Sequence, residues 1–202
     1  MAINILTGRP GNGKTYVLAF KAREWLQKGL QVYSNFKLDY KGSNLHYWTE
    51  PKDLVKIEKG IIVMDEAHVY FNSRDWVNLD KELQRKLQQH RKDGLHIWGT
   101  VQAEARLDVL VRELVNSYFI CHKVLGSGES AKKPWGFILV HQYYPEDIAK
   151  RDKIKPFSSE WFYIRPTICH FYDTLAKIDL EEDHKNEIQV TYKVCQDCGH
   201  KK

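Results

Sequence analysis

The chain has 202 residues, of which 43% are apolar and 28% charged, with a formal net charge of +5. That suits one domain with a sizeable core and excludes a disordered chain. No apolar run reaches the roughly 18 residues of a membrane-spanning helix, and MAINILTGRPG lacks the basic and apolar regions of an export signal.

The first segment, AINILT at 2–7, reads as a buried strand that runs into a glycine-rich turn. KTYVLAFKAREWLQK at 14–28 has apolar residues near helical spacing and stops at Gly29. A second strand is expected at 30–36, then a turn at YKGSN with room for a small hairpin within 37–48. Thr49-Glu50-Pro51 opens a short helix to about Ile57, and GIIVMD at 60–65 is a third strand, apolar enough to be buried on both faces. After a loop at 71–78, a helix is expected at 79–92, ended by Asp93-Gly94. LHIWGTV at 95–101 is the fourth strand, EARLDVLVREL at 104–114 a helix and SYFICHKV at 117–124 the fifth strand. GSGES turns the chain into a strand at 135–144, mixed structure follows around Pro156 and Pro166, and EIQVTYKV at 187–194 is the last strand candidate. Strand alternating with helix predicts an α/β fold with a mainly parallel sheet flanked by helices. Residues 1–125 would form the core, and 126–202 a β-rich C-terminal extension of the same domain.

The turn after the first strand reads GRPGNGKT. Its residues Gly8, Arg9, Pro10, Gly11, Asn12, Gly13, Lys14 and Thr15 are the candidate nucleotide-binding set, with Arg9 and Asn12 at variable positions. Glycines let backbone N–H groups converge on phosphate oxygens, and the following helix contributes its N-terminal dipole. Lys14 reaches the terminal phosphates of ATP, and the Thr15 hydroxyl is a ligand for Mg²⁺. A strand before and a helix after the loop give it the context that a P-loop needs.

The third strand ends in Asp65-Glu66. A carboxylate at Asp65 suits the Mg²⁺ of a bound nucleotide, and Glu66 is placed to polarise a water against the terminal phosphate. Such a pair favours hydrolysis over transfer to a metabolite. Gln102, at the tip of the fourth strand, can sense the terminal phosphate if that strand lies between the first and third. That is the order in P-loop proteins of the additional-strand, catalytic-glutamate type. The string Asp65-Glu66-Ala67-His68 also matches a helicase motif, but no second RecA-like domain accompanies it.

The succession GRPGNGKT, VYSNF, IIVMDEAHVYF and LQQHRKDGLHIWGTVQAEARLDVLVREL resembles the ATPase domain of the Zot (zonular-occludens-toxin-like) family, which includes the filamentous-phage gene I assembly protein. The resemblance covers roughly residues 1–125. It implies an ATP-hydrolysing motor that extrudes or translocates phage DNA during virion assembly. Other phage assembly proteins would be partners, and the place of work the host cytoplasm or the cytoplasmic face of the inner membrane. The family's usual membrane segment after the ATPase domain has no counterpart in this chain, which would be either a piece of a longer protein or a soluble relative. The alternatives are a soluble viral DNA-packaging or helicase-like ATPase, and a nucleotide-gated assembly adaptor with little turnover. Nothing in these residues indicates an extracellular toxin.

Motors of this kind work as homo-oligomeric rings in which one subunit's arginine enters the next subunit's site. Arg91, Arg106 and Arg112 are the candidates. The helix at 79–92 mixes its basic residues with acids and reads as a solvated face rather than a DNA track. Aromatic residues show no stacking pattern along the sequence. The four cysteines, Cys121, Cys169, Cys195 and Cys198, are expected to be reduced thiols. Cys195 and Cys198 form half of a Zn²⁺ knuckle, which His200 or Cys169-His170 would have to complete.

Overall fold

The computed structural model describes residues 2–71, 81–126 and 135–173. Its framework is one eight-stranded sheet. The strands are β1 (Ile3–Thr7), β2 (Val32–Ser34), β4 (Leu45–Tyr47), β5 (Gly60–Met64), β6 (Leu95–Val101), β7 (Val115–Gly126), β8 (Gly136–Tyr143) and β9 (Ser158–Ile164). Their order is β4-β2-β5-β6-β1-β7-β8-β9. The pairs from β4 to β7 are parallel, and β8 and β9 join antiparallel. The expected interleaving therefore holds: β6 lies between β1 and β5.

Helix α1 (Lys14–Gln27) lies on one face of the sheet. Its Val17, Leu18, Ala22 and Leu26 share a core with Leu6, Val32, Val63 and Ile138, and a short helix, α4 (Pro166–Cys169), adds Ile168 to it. On the other face, helices α2 (Lys81–Gln89) and α3 (Val109–Leu114) and a 3-10 turn at Pro51–Lys56 close over Ile5, Ile62, Met64 and Ile97. Burial from both sides is why β5 reads as an unbroken apolar run, and why β1 is buried at every position, Asn4 and Thr7 included.

Three expectations change. No hairpin forms within 37–48: β4 returns parallel to β2, a sixth parallel strand, and β3 (Lys37–Leu38) instead pairs with β10 (Tyr172–Asp173). The Asn44 side chain directs this path by donating to the carbonyls of Leu26 and Leu30 at the end of α1. The helix expected at 104–114 is broken into a 3-10 turn (Glu104–Arg106) and α3. At the break, Asp108 donates its backbone N–H to Phe71 and accepts the Leu110 N–H at 2.8 Å, so it caps a new helix. Finally, residues read as mixed structure form β9. Both faces of SSEWFYI carry apolar residues, so its period was unreadable until pairing with β8 separated Phe162 and Ile164 from Trp161 and Tyr163. The strand candidate at 187–194 and most of the 71–78 loop lie outside the described residues.

His90 ends α2 buried, with Nδ1 2.7 Å from the Leu87 carbonyl. Burial lowers its pKa below the ordinary value of 6.5, and does the same for His96 and His122. Below about pH 6.5 the unfolded chain therefore takes up protons that the native chain resists, and stability falls with acidification. Urea titrations between pH 7.5 and 5.5, values bracketing that ordinary pKa of roughly 6.5, should show a falling midpoint. His90→Gln should flatten part of the slope; a midpoint that rises on acidification would contradict the assignment.

Candidate nucleotide site

The loop between β1 and α1 curls at the C-terminal end of the parallel strands. Gly8 has φ 142°, and a Cβ there would lie 2.7 Å from the Cys121 carbonyl oxygen on β7. Any side chain would therefore push the loop off the sheet. Gly13, at φ 80°, is the left-handed residue from which α1 starts, leaving the first backbone N–H groups of the helix directed at the loop. Asn12 fastens the loop from the other side: its Nδ2 donates to the Cys121 carbonyl at 2.9 Å. The Cys121 thiol itself is wholly buried and pushed up to about 12, so it is an inert core group rather than a nucleophile.

Lys14 is buried and folds back over the loop, with Nζ 3.0 Å from the Gly8 carbonyl and 3.2 Å from that of Arg9. Thr15 donates to Asp65, with Oγ1 3.0 Å from Oδ1 and 3.2 Å from Oδ2. Thr100 on β6 donates to the same carboxylate at 2.5 Å and accepts the Glu66 backbone N–H at 2.9 Å. Just after β2, Asn35 clamps the backbone of Asp65: it accepts the Asp65 N–H at 2.7 Å and donates to its carbonyl at 3.0 Å. Two hydroxyls thus hold the Asp65 carboxylate, and one amide side chain holds its backbone.

Burial pushes the Asp65 carboxyl up from its ordinary value; the hydrogen bonds from Thr100 and Thr15 pull it back, and the charge of Glu66 adds to the rise. A desolvated carboxylate beside a hydroxyl oxygen suits a hard divalent cation, and Mg²⁺ fits this donor set because it needs few protein ligands and keeps waters.

Glu66 occupies the left-handed region at φ 52°, the one non-glycine residue among those described to do so. Its Oε2 lies 3.1 Å from His68 Nδ1, a contact short enough for an ion pair but outside hydrogen-bonding geometry. Gln102 lies at the tip of β6 and accepts a hydrogen bond from Arg106 Nη1 at 2.8 Å. It also lines a cavity of about 430 Å³ together with Thr7, Gly8, Arg9, Asn12 and Arg151. Lys14, Thr15, Asp65, Glu66 and Gln102 therefore converge on the tips of β1, β5 and β6.

The three arginines differ. Arg106 is exposed and reaches the site through Gln102. Arg91 is exposed in the turn before β6, at the end of the sheet opposite the loop. Arg112 is half-buried on α3, with Nε lacking a hydrogen-bond partner. No group of three or more His, Cys, Asp or Glu side chains among the described residues is disposed to hold a metal, and Cys195 and Cys198 lie outside those residues. Sequence reasoning missed Thr100 and gave Asn35 no role. Asn35 stood within the quoted VYSNF, but a side chain that binds the backbone of a distant strand leaves no local signal.

The chain is 28% identical over 107 residues to the Gene 1 protein of Escherichia phage If1, a match that covers 42% of this chain and 30% of that relative. The chain thus spans under a third of the length of the curated relative it matches. The crystal structure of the N-terminal domain of zonular occludens toxin from Neisseria meningitidis superposes with a TM-score of 0.57 at 21% identity, covering 85% of this chain and 98% of that one. It shares the fold. A remoter likeness, at TM-score 0.49 and 15% identity over 59% of this chain and 74% of the other, is to the genome packaging NTPase B204 of Sulfolobus turreted icosahedral virus 2 in complex with AMPPCP. No helix among the described residues is long and apolar enough to cross a membrane. The family model for zonular occludens toxin matches residues 43–158, a stretch that holds Asp65, Glu66, Thr100 and Gln102 and makes up more than half of the chain, so the protein belongs to the Zot family.

Proposed function

We propose that this chain is an ATP-hydrolysing motor domain that moves DNA during phage assembly. The observation that carries the reading is the hydrogen-bonded cluster Thr15–Asp65–Thr100–Glu66 facing a P-loop, in a member of the Zot family. The loop N–H groups and Lys14 hold the phosphates; to do so, Lys14 exchanges two carbonyl partners for phosphate oxygens. Thr15 and Asp65 would hold Mg²⁺, which would supply charge neutralisation for the phosphates. Glu66 accepts the proton of the attacking water, and Gln102 contacts the terminal phosphate from the neighbouring strand.

A ring of copies in the host cytoplasm fits this reading, with one of the exposed arginines reaching a neighbour's site. Residues 1–125 would be the ATPase core and 126–202 its extension. Phosphate release from ATP should require Mg²⁺, stop on chelation and rise on addition of DNA. Nucleotide binding with no turnover under any of these conditions would instead make the chain a nucleotide-gated adaptor.

A further inference from the structure

The described residues leave most of the outer face of β7, β8 and β9 uncovered. Helix α3 covers only its lower part, where Val115 and Tyr118 are buried. Above them, strand register places His122, Leu139 and Trp161 in one row and Leu125, Phe137 and Tyr163 in the next, with His141, Ser159 and the buried Ile120 below. Phe137, Tyr163 and Trp161 are 41%, 46% and 59% exposed. The Phe137 ring centroid lies 5.2 Å from that of Tyr163 and 6.5 Å from that of Trp161, and the rings of His122 and His141 are 5.6 Å apart. Five of these nine positions carry rings and none carries an acid. The one carboxylate within β9, Glu160, pairs with Lys21 of α1 on the opposite face at 3.2 Å.

We propose that this face binds single-stranded DNA by stacking unpaired bases on Trp161, Phe137 and Tyr163. The inference deepens the proposed DNA-moving function and rests on it for the choice of nucleic acid over protein. One observation favours a single strand over a duplex, and two more favour a polyanion. A solvent-facing sheet that carries adjacent rings offers π-faces to unstacked bases, which a duplex keeps inside its helix. The absence of acids spares a polyanion from repulsion. Cations flank the face: Arg165 follows the upper row, and the loop below it carries Lys150, Lys153 and Lys155 against Glu146, Asp147 and Asp152, with Arg151 paired to Glu104 at 3.0 Å. The face is also continuous with the nucleotide site, because Ile120 and His122 line the cavity that Gly8, Arg9 and Gln102 share. A strand lying on the rings would therefore sit beside the groups that change partners when ATP binds.

The test measures binding of a fluorescent oligothymidylate of about 20 nucleotides, long enough for a site of this kind, to the whole chain. A duplex of the same length, the variants Trp161→Ala and Phe137→Ala, and the conservative Trp161→Phe are compared. The single strand should bind in preference to the duplex and release as salt rises. Trp161→Ala should weaken it about tenfold, within the range expected for loss of one base–aromatic stack. Trp161→Phe should largely restore binding, and DNA-free ATP turnover should be unaffected in all three variants. Equal affinity of wild type and Trp161→Ala overturns the proposal. So does a change in self-association, read by sedimentation, without a change in DNA affinity, because the face is then a contact between copies. If the oligonucleotide binds through these rings but ATP is never hydrolysed, the motor reading fails and the stacking face stands.

Discussion

Glu66→Gln is expected to lower ATP turnover by roughly 100-fold to 10,000-fold, the usual contribution of a positioned general base, while nucleotide affinity stays near the wild-type value. The substitution keeps size and removes only the basic carboxylate. Glu66 sits where a non-glycine backbone is rarely found, at φ 52°, and its N–H is tied to Thr100, which is tied in turn to Asp65. This conformation costs free energy, and strain of that kind persists only where surrounding contacts enforce it. Here the enforcing contacts are the same ones that hold the Asp65 carboxylate. Rapid-quench measurement of phosphate release, with binding of a fluorescent ATP analogue in parallel, separates chemistry from affinity. Equal turnover of wild type and variant would remove Glu66 from the chemistry and leave the adaptor reading.

Lys14→Ala should act on the other half of the site. Each charge-assisted hydrogen bond from an ammonium to phosphate contributes on the order of 1.5–3 kcal/mol. Losing those made by Nζ should weaken ATP binding by about 100-fold or more, with turnover falling below detection. The variant also frees the carbonyls of Gly8 and Arg9, to which Lys14 donates. Those groups lie at the rim and can turn to water, so the melting temperature should move little. A titration of intact ATP by calorimetry, beside a thermal melt, distinguishes lost recognition from lost folding. Unchanged affinity would mean that the backbone N–H groups alone hold the phosphates.

The two halves of the site were not equally legible. GRPGNGKT announces its conformation in its residue types, since Gly8 and Gly13 adopt positive φ and a side chain at Gly8 would strike the Cys121 carbonyl. The pair Asp65-Glu66 was legible because it ends a fully apolar strand. Thr100 was not, because a threonine near the tip of GTVQ looks like any strand residue until β6 lies against β5. Asn35 depends in the same way on β2 lying beside β5. The aromatic face is the extreme case: Phe137, Trp161 and Tyr163 are scattered along the chain and become neighbours through the β8–β9 register alone.

By itself, then, the sequence determined the local features of the candidate site: a glycine-rich loop between strand and helix, and an acid pair at the end of a buried strand. It also determined a parallel α/β core, because apolar runs alternating with helical periods can satisfy their backbones and bury both faces in few other ways. Only the tertiary structure decided which groups support Asp65, where the arginines stand, how the segment at 158–164 joins the sheet and which aromatics share a surface. Those features depend on strand order and register, which around Asp65 bring together residues 30, 35 and 50 positions apart, and local sequence carries no signal over such separations.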